Sequence, residues 1–487
     1  MMRGRWAILA LVALATFMTT LDASIVNISL PSIARTFHTP IGGAVEWVII
    51  AYLVAIGATL LTFGRLSDLV GRKPVWMAGL AVFTLGSICC GAAGSLPQLV
   101  VARLFQGLGG ALIFAPSFAI ISDAFAPSDR GRALGLNAVV FAIGTSLGPT
   151  LGGLITEHLT WRWIFYLNVP LGVLGLLASH RVLASSGVRA SALLDLRGAA
   201  SAAVGVALLT LSLSLGQEWG WTSGRLLTCL ALAVAALVAT VLIERRVPDP
   251  IIDLALLRER VFGSALVSLT LAMLALFGIS FMLPFYFEEL RGFSVERSAL
   301  LLTPLPLTIA IVAPLSGTLA DRIGSRWLAS GGLGLACLGL VLIARLDATS
   351  TPGDIVARLV LTGLGQGLFQ SPNTRALMNA APGAAQGEAS GLLTTARTVG
   401  QSLSVALAGA MFTGLGGAAA GRALIGARAG APTAADVGAL QQTFLTSFQG
   451  ALMVSAAVAA IGVVAVMVRG DERRTLPAIV PATVRHT

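Results

Sequence analysis

The chain has 487 residues, 56% of them apolar and 11% charged, and a helix needs about 20 consecutive apolar residues to cross the hydrocarbon of a bilayer. A soluble globular or disordered chain is excluded, and most of this one is expected in lipid. The formal charge of +10 would suit nucleic acid if it were clustered, so its distribution decides.

Fourteen apolar segments follow one another, near residues 6–30, 44–63, 75–95, 98–121, 133–154, 164–183, 198–216, 225–243, 263–287, 298–319, 328–345, 355–378, 389–413 and 446–468. They are rich in Leu, Ala and Gly and lack the ten-residue alternation of an outer-membrane barrel, which predicts helices. With a cytoplasmic N-terminus, the inside loops and tails hold most of the basic residues, among them Arg65, Arg72, Lys73, Arg130, Arg132, Arg245, Arg246, Arg258, Arg260, Arg322 and Arg326. That is the positive-inside distribution; it predicts fourteen spans with both termini cytoplasmic and leaves no role for a nucleic-acid partner. Arg3 and Arg5 before an apolar run look like a signal peptide, but the run continues to Leu30 with no small-residue cleavage site, so it reads as a retained first helix. Cys89, Cys90, Cys229 and Cys337 fall inside spans, where a thiol acts as a small hydrophobe, and the four histidines lack ligand spacing. No metal and no cofactor is expected.

An internal repeat organises the segments. Gly64-Arg65-Leu66-Ser67-Asp68-Leu69-Val70-Gly71-Arg72-Lys73 recurs 253 positions later as Gly317-Thr318-Leu319-Ala320-Asp321-Arg322-Ile323-Gly324-Ser325-Arg326. A glycine, an aspartate, a second glycine and basic residues in register suit a tight interhelical turn with a charge latch. The stretch Gly107–Pro116 matches Gly363–Pro372 at an offset of 256, and Gly135, Gly144, Ser146 and Gly153 match Gly391, Gly400, Ser402 and Gly409. The fourth helix therefore corresponds to the twelfth and the fifth to the thirteenth. The expected fold is an all-α membrane protein: a six-helix bundle at 1–190, an inserted two-helix hairpin with linkers at 191–254, a second six-helix bundle at 255–475 and a cytoplasmic tail at 476–487.

Along nearly its whole length the chain resembles the fourteen-helix drug:proton antiporter branch of the major facilitator superfamily. The resemblance is carried by Leu21-Asp22-Ala23-Ser24-Ile25-Val26-Asn27-Ile28-Ser29-Leu30-Pro31, by Gly64 to Lys73, by Arg103 with Gln106 to Gly110, by Gly144, Gly148-Pro149 and Gly152-Gly153, and by Trp161 to Pro170. It implies the major facilitator fold and proton-driven export of lipophilic, cationic drugs or toxic compounds, and it places proton coupling near Asp22.

The residues themselves support roles to be tested. A carboxylate inside a span must be protonated, paired or facing a wet cavity, so Asp22 reads as functional, with a structural ion pair as the alternative. Arg103 lies at comparable depth and is its expected partner. Glu46, where the branch more often has an amide, reads either as a second proton site or as a solvated helix-end acid. Asp68 with Gly64, Gly71, Arg72 and Lys73 reads as a gate latch at the cytoplasmic face, and Gly317, Asp321, Arg322 and Arg326 as its counterpart, with Ser325 in place of the basic residue at Arg72. Gly144, Gly148, Pro149, Gly152 and Gly153 allow close packing and a bend in the fifth helix, and the thirteenth has Ser404-Val405 where Gly148-Pro149 stands. The aromatic residues Trp47, Tyr52, Phe118, Phe141, Phe277, Phe281 and Phe285 are candidates for an apolar substrate cavity, or for packing.

Two enzyme-like strings are set aside. Gly144-Thr145-Ser146-Leu147-Gly148 fits a nucleophile-elbow pattern but sits mid-helix, and the lone Lys73 precedes a proline without a phosphate-binding glycine loop. The expected function is thus a proton-driven secondary exporter in the inner (cell) membrane, not an enzyme. Its expected partners are a small lipophilic substrate, protons and membrane lipids, with a periplasmic adaptor left open. The alternative is an exporter dedicated to one endogenous product, such as an antibiotic, siderophore or lipid.

Overall fold

The computed structural model describes residues 2–39, 44–183, 196–247, 254–381, 386–428 and 437–469. The tail at 476–487, much of the linkers flanking the hairpin, and the side chains of Asp68, Asp321 and Arg322 lie outside the described residues.

Every regular element described is helical. The first six-helix region comprises α1 (Met2–Thr36), α2 (Trp47–Val70), α3 (Arg72–Ala92), α4 (Leu96–Ala124), α5 (Pro127–His158), the single turn α6 (Trp163–Tyr166) and α7 (Asn168–Val182). The hairpin is α8 (Leu196–Trp219) and α9 (Gly224–Glu244). After α10 (Leu254–Arg258) come α11 (Arg260–Phe285), which ends in a π-helical turn at Tyr286–Leu290, then α12 (Val295–Leu302), α13 (Pro304–Ile323), α14 (Ser325–Ala344), α15 (Pro352–Ala380), α16 (Gln386–Gly414), α17 (Gly417–Arg428) and α18 (Val437–Met467).

All fourteen apolar segments are helical. Ten of the described helices are long and apolar enough to cross a membrane, and the pair Gly391–Gly414 and Gly417–Arg428, bent by 68°, makes eleven. Trp47–Leu60 and Arg197–Leu213 are shorter apolar stretches. Helix α15 is long but less apolar, because Arg358, Gln366, Gln370, Asn373 and Arg375 interrupt its apolar run. Helix α17 falls between the apolar segments 389–413 and 446–468, outside every predicted helix. Gly416, at φ +88°, turns the chain between α16 and α17, a conformation that costs glycine nothing.

The repeat is visible in the packing. In the first region α1 packs on α5, α2 and α3 on α4, and α3 on α7; in the second α11 packs on α16, α13 and α14 on α15, and α14 on α18. Lipid tails are as apolar as leucine, so small residues that let backbones approach decide such contacts. A Cβ at Gly107 would stand 2.6 Å from the Tyr52 carbonyl oxygen, and one at its counterpart Gly363 would stand 2.8 Å from that of Leu305. Both interhelical turns are made the same way, by one glycine at positive φ: Gly71 at +104° between α2 and α3, and Gly324 at +94° between α13 and α14. A side chain there would be strained, which is why both copies keep the glycine.

Two seams join the regions. Along one, α2 packs on α16, with α8 of the hairpin against both; along the other, α5 packs on α12 and α13. The turns after Val70 and Ile323 lie on the membrane face where α1 begins, called here the near face. The turns after Thr36 and His158 lie on the far face.

Candidate functional site

The first helix carries a buried carboxylate because its partners are supplied by neighbouring helices. Asp22 is fully buried and Arg103 is 1% exposed. Arg103 Nη1 donates to Asp22 Oδ2 at 2.6 Å, while Gln106 Nε2 and Asn168 Nδ2 donate to Asp22 Oδ1 at 2.9 and 2.8 Å. Arg103 also donates through Nε to the Val48 carbonyl at 2.8 Å and through Nη1 to Gln106 Oε1 at 2.6 Å. Its guanidinium lies 4.1 Å from the centroid of Tyr52, and Gln106 Nε2 donates to Ser87 Oγ at 2.7 Å. Removing one member of a buried ion pair typically costs about 3–5 kcal/mol, because the other charge stays in a low dielectric unpaired. Here three donors are already directed at the carboxylate, and a proton added to Asp22 would remove the negative charge that holds Arg103.

Sequence reasoning reached Asp22 and Arg103 but not Gln106 or Asn168 as partners. Gln106 is one helical turn from Arg103 and faces the same way; Asn168 is the lone amide in Trp161–Pro170. Both were legible as polar residues at span depth. Tyr52, a candidate for a cavity or for packing, packs as the floor beneath Arg103.

Glu46 does not sit in solvent. It is fully buried at the α2–α16 seam, and its carboxylate packs so closely on Gly409 that no Cβ would fit there. The solvated reading is therefore wrong: Gly409 leaves a notch that the carboxylate fills. Two further acids were missed. Glu288 and Glu289 are buried in the π-helical turn, and Arg35 at the end of α1 pairs with Glu288 Oε2 at 2.9 Å. The Val295 amide donates to Glu157 Oε2 at 3.1 Å, and the Thr150 and Thr303 hydroxyls meet at 2.6 Å. These contacts tie the two six-helix regions together toward the far face.

The near-face turn is anchored within its own region. Arg72 pairs with Asp123 of α4, which sequence reasoning missed, and Lys73 Nζ donates to the His180 and Leu183 carbonyls at 3.0 and 2.6 Å. In the second region the direction reverses, with Arg375 of α15 reaching back to the Gly317 carbonyl at 3.3 Å. Arg326 lies over the neighbouring Trp327 ring at 5.4 Å.

The fifth-helix glycines split into two roles. A Cβ at Gly144 or Gly148 would collide with Thr20 Oγ1 or Ser24 Oγ, and one at Gly152 would stand 2.6 Å from Ile28, so these three press α5 onto α1. Gly153 faces Ala299 across the seam. Helix α5 runs unbroken through Pro149. Among the candidate cavity aromatics, Phe281 and Phe285 are fully buried and pack edge-to-face at 5.4 Å, so they face no open space. Phe118 is exposed, and Trp47, Phe141 and Phe277 are half-buried.

The Major Facilitator Superfamily model matches residues 12–189 and 188–405. The multidrug resistance protein Stp of Mycobacterium tuberculosis is 34% identical over 412 residues, covering 84% of this chain and 76% of that one. The riboflavin transporter RibZ of Clostridioides difficile is 31% identical over 418 residues, covering 84% and 89%. Among solved structures, a bacterial homolog of the human lysosomal transporter Spinster superposes with a TM-score of 0.64 at 16% identity, covering 97% of each chain. The chain is a multi-pass membrane protein that belongs to the Major Facilitator Superfamily, within its drug-efflux branch.

Proposed function

We propose that the protein is a proton-coupled antiporter that exports lipophilic compounds across the inner (cell) membrane by alternating access, with the near face and both termini cytoplasmic and no cofactor required. The observation that carries this reading is the Asp22 centre: an enclosed carboxylate at span depth whose three donors come from α4 and α7. Intramembrane acids of this kind serve proton relays in transporters.

Protonation of Asp22 removes the charge that holds Arg103 and weakens that bond. Arg103 keeps its bonds to Val48 and Gln106 and its seat on Tyr52, so the arginine stays while the carboxylate is released. Helix α1 then moves relative to α4 and α7. Thirteen residues further along the same helix, about 20 Å at 1.5 Å per residue, Arg35 holds Glu288 of the second region, so motion at Asp22 is transmitted to the far-face closure. The two glycine turns and their arginines act as near-face latches.

A second reading, transport dedicated to one compound, is favoured by the relative named for riboflavin. The test of the first is transport in proteoliposomes. An imposed pH gradient should drive accumulation of a lipophilic dye, and an ionophore that collapses the gradient should abolish it; accumulation indifferent to the ionophore would overturn the proton drive.

A further inference from the structure

Arg397 is a cation inside a span that belongs to none of the sequence motifs. It lies eleven residues into α16, so about 16 Å from the helix start at 1.5 Å per residue, well within the apolar stretch Gly391–Gly414. Its Nε is buried with no hydrogen bond, and its guanidinium stands 5.3 Å from the ring centroid of Phe141 on α5. Other arginines of the bundle are compensated differently: Arg103 by Asp22, Arg35 by Glu288, Arg428 by the Glu288 and Leu290 carbonyls.

The position is as informative as the charge. Helix α16 belongs to the seam with α2, and α5 to the seam with α12 and α13, so a contact between Arg397 and Phe141 crosses the space between the seams. At the offset that pairs Gly144 with Gly400, Phe141 is itself the counterpart of Arg397. Two equivalent residues that touch do so at the pseudo-twofold axis relating the repeats, where substrate sites of this architecture are built. Gln401, one turn further along α16, stands on the same face as Arg397 and is half-buried.

A guanidinium in a low-dielectric space calls for a planar anion, which it binds through paired N–H groups, while the adjacent ring offers a stacking face. We propose that Arg397 and Phe141 form the substrate-binding site, and that the substrates it favours are lipophilic aromatic carboxylates rather than the cations the family resemblance implies. The carboxylate pairs with Arg397 and the aromatic body lies against Phe141. The proposal rests on the transporter reading but not on its proton drive.

Fluorescein and rhodamine 123 share one xanthene ring system; the first is an anion bearing a free carboxylate, the second a cationic ester. Their binding to the full chain in nanodiscs, read by fluorescence polarisation with no proton gradient, separates the charge preference from coupling. Wild-type protein should bind fluorescein at least about tenfold tighter than rhodamine 123. Arg397→Gln should erase that preference by weakening fluorescein alone, Arg397→Lys should retain part of it, and Phe141→Leu should weaken both dyes. Absence of fluorescein binding, a preference for rhodamine 123 in the wild type, or equal weakening of both dyes by Arg397→Gln would each overturn the proposal. Retained fluorescein preference in a protein that ignores a pH gradient would instead overturn the antiporter reading and leave this site standing.

Discussion

The two six-helix regions have matching backbones and opposite interiors. A Cβ at Gly86 would stand 2.7 Å from the Gln106 Cα, and one at its counterpart Gly339 would stand 2.9 Å from the Thr362 Cα. The helices therefore cross in the same way. Yet where the first region has Arg103 and Gln106, the second has Leu359 and Thr362, with Leu359 fully buried and Thr362 Oγ1 donating to its own helix at the Arg358 carbonyl. At this crossing duplication kept the packing, and the arginine and glutamine were placed on one copy. A buried ion pair is weak evidence for stability, since desolvation consumes most of its Coulombic gain. An asymmetric one, at a crossing that the other copy makes without it, is what the proposed coupling role requires.

The largest effect expected from this comparison is that of Arg103→Leu. It should destabilise the protein by about 3–5 kcal/mol through the stranded Asp22 charge and abolish transport. Adding Asp22→Asn should restore much of the thermal stability measured in detergent and none of the uphill transport. Leu359→Met in the second region should lower stability by no more than about 1.5 kcal/mol, being nearly volume-conserving, and leave transport intact. Equal sensitivity of the two regions would break the comparison.

The near-face turns should respond next. Arg72→Ala removes a partly exposed ion pair worth about 0–1 kcal/mol, so folding should persist while transport falls, because the turn loses its hold on α4. Asp68→Asn should likewise impair efflux and leave the protein folded in the membrane. Wild-type efflux in both variants would remove the latch from the account.

The fold was largely legible. Apolar runs and the repeated glycines specify helices and their crossings, because close approach in lipid depends on small residues. The 68° break after Gly414 was not, since the short α17 has a mixed composition and lies outside the apolar segments. In the site, Asp22 and Arg103 announced themselves as charges in spans. The same rule applied to residues 263–287 and 389–413 would have flagged the neighbouring Glu288 and Glu289, and Arg397. What no local pattern announces is which helix a side chain meets: that Glu46 faces Gly409, that Arg72 meets Asp123, or that Tyr52 lies under Arg103 rather than in a cavity.

The smallest effect belongs to the hairpin. Ser201 and Thr240 join α8 to α9 through a hydroxyl contact of 2.9 Å, and Thr240→Ala should cost about 1 kcal/mol without altering the protons moved per substrate. A change in that ratio would place coupling outside the first region.

Substrate-induced proton release from the purified, detergent-solubilised protein, followed across a pH series, tests the assignment of coupling to Asp22 most directly. The wild type should release protons on binding substrate, and Asp22→Asn, which keeps the size and loses the titrating group, should release none and fail to accumulate substrate against a gradient. An Asp22→Asn protein that releases protons like the wild type and still drives substrate uphill would contradict the account and move the coupling site to another buried acid, with Glu46 first.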